Sequence, residues 1–321
     1  MDLFTQAIFG ATTYAVVNGP KTTGRDVMWG LGLGMLVDAD VLLGIGMDEV
    51  DALVNHRSWS HAVVVGLGLS WPLAWLRARW RKGALNMRTW LAVFAVLHTH
   101  LWLDCLTTYG TQIWIPFSGE RVAWNVVHVF HPLATLVLFA PWMWQVFKGQ
   151  RNWGRAGRSS ALCFACFMLW PMGSKHIAQQ RMSASLEAQD ELSVVPTAFN
   201  SMLWHGVVNA GDSLGFATVH VGEDEPIQWF WVKQDLEELE RLRNLDQPAS
   251  YLDFSDGNPL VVKGEDGTRI YLAKFGPINY SGPPEFVFPL VIPHGAERGY
   301  IEKSDYSGPW SNADKLVNRL Y

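Results

Sequence analysis

The sequence predicts a polytopic membrane protein. An all-α bundle of about six transmembrane helices over residues 1–179 is followed by a small soluble α+β domain over residues 180–321. Three observations predict this. Apolar segments of about 17–22 residues recur through the first part, long enough to cross a hydrocarbon core. Charge is unevenly divided: residues 1–179 carry nine acids and 14 Lys or Arg, whereas residues 180–321 carry 21 acids and 11 Lys or Arg. The net charge of −5 therefore joins a basic, apolar part to an acidic, polar one. Among the 17 tryptophans, Trp29, Trp71, Trp90, Trp114 and Trp142 fall near proposed segment ends, where indole rings anchor at membrane interfaces.

The expected spans are 3–19, 27–46, 60–80, 89–106, 126–147 and 160–178. The first is the weakest, because it contains Gly, Thr and Gln, and a partly interfacial position fits it equally. It has no basic region before it, so a cleaved signal peptide is not expected. Lys and Arg orient the rest. The first connection has Lys21 and Arg25. The third has Arg77, Arg79, Arg81, Lys82 and Arg88, and the fifth has Lys148, Arg151, Arg155 and Arg158. The second and fourth have only Arg57 and Arg121, opposed by Asp48, Glu49, Asp51 and Glu120. Odd connections are thus expected in the cytoplasm, with both termini and the even connections outside, in the periplasm of a bacterial inner membrane. If the first span does not cross, the tail lies in the cytoplasm instead.

Beyond residue 178 a helix should continue through 179–189. Strands follow at 201–208, 214–221, 227–232, 269–275 and 286–292, rich in aromatic and β-branched residues and separated by Asn/Asp/Gly/Pro turns. Residues 234–243 read as a helix, with Leu236, Leu239 and Leu242 on one stripe and Glu on the other face. A last helix is expected from Ser311. Three cysteines cannot build a disulfide framework. Cys163 and Cys166, a C-x-x-C inside an apolar run, are expected as small core residues rather than a zinc or redox pair.

With this topology, scattered histidines and aspartates gather at the outer ends of the helices. His100 and Asp104 are four apart and share a helix face, so they can hold one ion or hydrogen-bond to a neighbouring helix. His98 points elsewhere. His56 and His61 in His-Arg-Ser-Trp-Ser-His would diverge on a continuous helix. They converge if Ser58 caps the next helix and His56 folds back; otherwise they are two interfacial histidines beside a cap. Arg57 is the candidate for holding a substrate oxygen. Asp38 and Asp40 cannot both point at one centre from a regular helix. Either one binds metal while the other orients a histidine, or the helix unwinds toward Gly44 and Gly46. His128 and His131 share a face at a spacing of three, with Pro132 suited to a first helical turn. They are further candidates for ligation or for supporting it. His176, His205, His220 and His294 are isolated.

Buried ionisable groups among apolar helices are costly and need partners or a function. Nitrogen and oxygen donors suit a divalent metal, zinc first and manganese or another ion in its place. There is no G-x-S-x-G elbow, P-loop or Rossmann glycine pattern, which leaves a metal-activated water as the chemistry. Two other classes compete. A divalent-cation transporter would place polar groups through the whole bilayer and often has repeated halves. A non-catalytic scaffold would use the acidic tail to bind an envelope protein.

The run 1–10, Asp38-Ala39-Asp40, His56-Arg57-Ser58-Trp59-Ser60-His61, His100 with Asp104, and Thr107-Thr108-Tyr109-Gly110-Thr111-Gln112 resemble the YdjM-like family of membrane-bound proteins classed as metal-dependent hydrolases. The resemblance implies an inner-membrane location and a divalent metal. Its H-R-x-x-S-H, H-x-x-x-D and D-x-D elements fall on His56, His61, His100, Asp104, Asp38 and Asp40. This chain has Gln6 where some relatives have His, and His131-Pro132 where many have Asp-Pro. The tail, from Pro196-Thr197-Ala198-Phe199-Asn200 and Leu203-Trp204, is similar to an extension in longer members. The expected activity is therefore hydrolysis of an amphiphilic ester or phosphoester, such as a membrane lipid. An envelope protein is the possible partner of the tail, and no nucleic acid is expected. Neither the substrate nor the general base is identifiable from sequence.

Overall fold

The computed structural model describes residues 1–187, 191–277 and 286–302. It divides into two compact units. One comprises Met1–Asp48, Ala52–Ile177 and Pro196–Leu203; the other comprises Glu49–Asp51, Ala178–Val195 and Trp204–Tyr321. The N-terminal region is helical, and a small β-sheet region follows.

Each predicted apolar segment contains a helix, the fifth only from Pro132 onward. α1 is Leu3–Asn18, started by the Asp2 carboxylate, which accepts from Thr5 N at 3.0 Å. α2, Gly24–Leu36, begins in a reciprocal capping box between Thr23 and Asp26. It tightens into a 3-10 helix over Val37–Gly44. The short α3, Glu49–Asn55, was not expected from sequence. α4 is Val63–Trp80, α5 is Met87–Cys105, α6 is Pro132–Phe147 and α7 is Trp153–Ser183. Among the described residues, the stretch Gly24–Gly44 is long and apolar enough to cross a membrane, and only 17 % of its most apolar window is buried. The other expected spans do not meet that test of length and composition.

α1 is central rather than peripheral. One side packs Ile8, Ala11 and Ala15 against Leu103, Leu138, Trp142 and Phe164. Tyr14 joins a second core with Leu33, Ala74, Val93, Val96 and Leu97. Its polar residues, which weaken it as a span by composition, hydrogen-bond inside the bundle. Thr5 Oγ1 lies 2.6 Å from Thr135 Oγ1, and Trp142 Nε1 donates to Thr12 Oγ1 at 3.1 Å. α1 and α2 touch backbone to backbone. A Cβ at Gly34 would lie 2.3 Å from Gln6 O, and one at Gly10 would lie 2.4 Å from Gly30 O. Small residues are what permit such a crossing.

Several local expectations are corrected. Helix α6 starts at Pro132 with His131 as its cap, so residues 126–131 are not helical and His128 and His131 do not share a helix face. Pro132 cannot donate a backbone hydrogen bond and suits the first helical position. Cys163 and Cys166 are exposed on α7, not core residues. An apolar run in a helix need not face a protein interior.

In the second unit, the first sheet has the order β1 (Glu191–Pro196), β2 (Leu203–Asn209), β3 (Ser213–His220), β4 (Phe230–Lys233). Helices α8 (Leu236–Arg243) and α9 (Asp246–Phe254) follow. The second sheet is an antiparallel meander of β5 (Pro259–Lys263), β6 (Gly267–Leu272), β7 (Leu290–Pro293) and β8 (Tyr300–Ile301). The expected strands at 201–208, 214–221, 227–232, 269–275 and 286–292 correspond to β2, β3, β4, β6 and β7. β1, β5, β8 and α9 were missed; β5 and β8 are short, and β5 opens on a proline. The helix expected over 179–189 is the end of α7, which stops at Ser183, and Ala188–Asp190 lie outside the described residues. So does the helix expected from Ser311.

Two outcomes test this packing. Gly34→Leu should lower the melting temperature in detergent, because its side chain must part α1 from α2; overpacking of this kind costs roughly 1–3 kcal/mol. In the second unit Arg241, with Thr268 at 2.8 Å, holds the Glu238 carboxyl down at about 2 against a usual 4.5. Its contribution to stability is full above pH 4.5 and is lost as pH falls toward 2. Acid unfolding of Glu238→Gln should show a shallower pH dependence in that window.

Candidate metal centre

The sequence places two aspartates in the 3-10 turn after α2, and the structure gives them different work. Asp38 Oδ1 lies 3.4 Å from both His61 Nε2 and His100 Nε2. Asp104 Oδ2 lies 3.1 Å from His61 Nε2 and 3.3 Å from His100 Nε2. These four atoms lie within 4.8 Å of one another, forming a group that can hold a metal ion. His61, His100 and Asp104 are fully buried, and Asp38 is 11 % exposed. All four facing atoms are buried and lack a hydrogen-bond partner.

The donor set fits a divalent cation. Bonds of about 2.0–2.1 Å in a tetrahedron put ligand atoms about 3.3–3.5 Å apart, and the four cross-distances here are 3.1–3.4 Å. Hydrogen bonds on the far sides of the rings fix the tautomers. His100 Nδ1 donates to Gly34 O at 2.8 Å. Ser60 Oγ donates to Asp40 Oδ2 at 2.6 Å, so at 2.8 Å from His61 Nδ1 it accepts. In the neutral rings both Nε2 atoms then present lone pairs to the carboxylate oxygens, an arrangement that a cation relieves.

Asp40 and His56 lie outside the four-atom group. Asp40 also accepts from the Arg57 N–H at 3.1 Å, and its Oδ1 lies 3.0 Å from His56 Nδ1. His56, 22 % exposed on its side chain, stands at the edge of the site with its ring 6.0 Å from that of His61. The fold-back joining them comes not from a Ser58 side-chain cap, which is not formed, but from Arg57, whose φ is +60°. The Arg57 side chain is buried. It pairs with Asp104 Oδ1 at 3.1 Å and donates to Thr107 Oγ1 at 2.9 Å. Gln6 Nε2 donates to the same Asp104 oxygen at 2.9 Å, and the Met1 ammonium also pairs with it.

His131 and His128 do not join the group. His131 Nδ1 accepts from Ala134 N and its Nε2 meets Ser201 Oγ at 2.9 Å, while His128 bonds Phe130 and packs on Phe199. His98 Nδ1 bonds the Phe94 carbonyl at 2.9 Å, as a structural histidine would. Sequence reasoning did not assign Gly34, Ser60 or Thr107. Thr107 lies in a quoted motif, and the Gly30–Gly34 spacing of four is the signal of a close helix crossing.

The family model described as YdjM inner membrane protein matches residues 1–179. The chain belongs to this family. The match covers Asp38, His61, His100 and Asp104, the four residues of the candidate metal centre. No curated protein and no solved structure matches the chain.

Purified without chelator, the YdjM-family chain should carry about one divalent ion, lost in His61→Ala and His100→Ala. Asp40→Asn should keep the site but weaken it by roughly 10- to 100-fold, since it touches only the supporting hydrogen bonds. Elemental analysis with a chelator-competition titration checks both.

Proposed function

We propose that this protein is a metal-dependent hydrolase of the bacterial inner membrane, acting on an amphiphilic ester or phosphoester. The observation that carries the reading is the convergence of four buried, unpartnered donor atoms on one point. Two imidazoles and two carboxylates favour zinc, with manganese next. A divalent ion held there would supply Lewis acidity and lower the pKa of water toward neutrality.

The chain's own residues then divide the work. Asp38, His61, His100 and Asp104 hold the ion. Gly34 and Ser60 fix the ring tautomers. Arg57, Gln6 and Thr107 position Asp104 or its partner; with its guanidinium turned to Asp104, Arg57 serves better as a positioning residue than as the oxyanion holder expected from sequence. His56 is the general base. Asp40 holds its Nδ1, which leaves Nε2 at the partly exposed edge to take a proton from water and return it to the leaving group. Asp38 and His56, the partly exposed members, mark the side of substrate entry.

Membrane embedding through six spans is part of the same proposal. It is supported by the family, by the stretch Gly24–Gly44, and by exposed apolar side chains such as Phe4, Met28, Leu43, Leu67, Leu136 and Leu169. Interior prolines in α4, α6 and α7 are tolerated in spanning helices. Charge asymmetry supports an outer-facing metal centre and a periplasmic acidic domain whose partner would be an envelope protein.

Metal-loaded protein in detergent should hydrolyse a member of a panel of long-chain esters and phosphodiesters. His56→Gln should lower kcat by on the order of 10²- to 10⁴-fold with metal content unchanged. A loaded protein no more active than His100→Ala across the panel would sink the hydrolase reading. Metal uptake into sealed vesicles would replace it with transport.

A further inference from the structure

The helical unit buries a second charged group that shares no residue with the metal centre. Asp26 is fully buried. Its Oδ1 pairs with Arg77 at 2.6 Å and Arg81 at 3.5 Å. Its Oδ2 accepts from Thr23 N, Thr23 Oγ1 and Asn18 Nδ2 at 2.9, 2.7 and 3.3 Å. One carboxylate is thus saturated, while Arg25, Arg77 and Arg81 together leave an excess of positive charge beside it.

That excess lines a cavity of about 970 Å³ bounded by Gly24, Arg25, Trp29, Arg77, Trp80 and Arg81. Its polar lining consists mostly of donors. Arg77 is 3 % exposed, yet its Nε has no hydrogen-bond partner; Trp29 Nε1 is likewise buried and unpartnered. The first turn of α2, capped by Thr23 and Asp26, borders the same space and adds the positive end of its helix dipole. Guanidinium groups match the oxygen geometry of phosphate. An apolar surface is present too: Trp29 and Trp80 meet edge to face at 5.3 Å, and Trp80 and Met28 are 69 % and 67 % exposed. Such indoles suit the depth of lipid headgroups.

We propose that this cavity binds the phosphate of an anionic lipid headgroup. The charge pattern of the sequence places Arg25, Arg77 and Arg81 on the cytoplasmic side, where anionic lipids attract basic groups. The site is independent of hydrolysis, and its failure would leave the metal reading standing.

The test uses the full chain in a neutral maltoside detergent, with binding read by native mass spectrometry and melting temperature. The probes are phosphatidylglycerol, diacylglycerol with the same acyl chains, and inorganic phosphate. Phosphatidylglycerol should bind and raise the melting temperature, and diacylglycerol should not. Arg25→Gln/Arg81→Gln removes two exposed cations, Arg81 being the longer partner of Asp26 at 3.5 Å, and leaves the 2.6 Å Arg77–Asp26 pair in place. It should weaken phosphatidylglycerol by about 10- to 30-fold, each cation near a membrane surface being worth roughly fivefold. Inorganic phosphate that binds as tightly as the lipid would support the anion site and identify free phosphate as its ligand. Equal binding of phosphatidylglycerol by wild type and double variant, or of diacylglycerol and phosphatidylglycerol by wild type, overturns the proposal.

Discussion

Two carboxylate oxygens facing two imidazole lone pairs inside a helical bundle repel one another unless positive charge sits among them. Burying such atoms without partners is expensive, and a divalent cation among them would relieve that cost. Much of the surrounding structure serves to keep the four atoms in place. Asp104 alone is approached by the Arg57 guanidinium, the Gln6 amide and the Met1 ammonium on its other oxygen. These cations and donors balance one carboxylate without occupying the oxygen that faces the centre.

Close helix packing is the second requirement. The approach of α1 to α2 at Gly34 brings the Gly34 carbonyl to His100 Nδ1 at 2.8 Å. The same glycine therefore permits the crossing and sets the tautomer of a ligand. α1 is polar because it is interior: Thr5 and Thr12 are buried and hydrogen-bonded within the bundle, and Gln6 is spent on Asp104. A helix whose polar atoms are met by neighbours looks poor on a hydropathy scale and is nevertheless well placed in a bundle.

The spacing of His100 and Asp104 was informative, because residues four apart on any helix share a face. The two aspartates of Asp-Ala-Asp were readable as divergent, and they are: Asp38 faces the centre and Asp40 supports two histidines. Which of them does which was not readable, since it depends on the tighter period of the 3-10 turn and on what packs beside it. His56 looked equivalent to His61 in the motif. The left-handed conformation of Arg57 folds His56 back onto Asp40 beside His61, and nothing in the residue type of an arginine announces it. His131 resembled a ligand by composition, but the start of α6 at Pro132 makes it a cap.

By itself the sequence determined the helical segments, the two-part composition and the set of ionisable residues available to one centre, because apolar runs and charge counts act through local hydration and helix period. Tertiary structure decided which four atoms meet, which nitrogen of each ring faces inward and which residues support them. Those outcomes depend on distances between helices remote in the chain, and they are fixed by a positive φ and by hydrogen bonds between distant residues that no local pattern encodes.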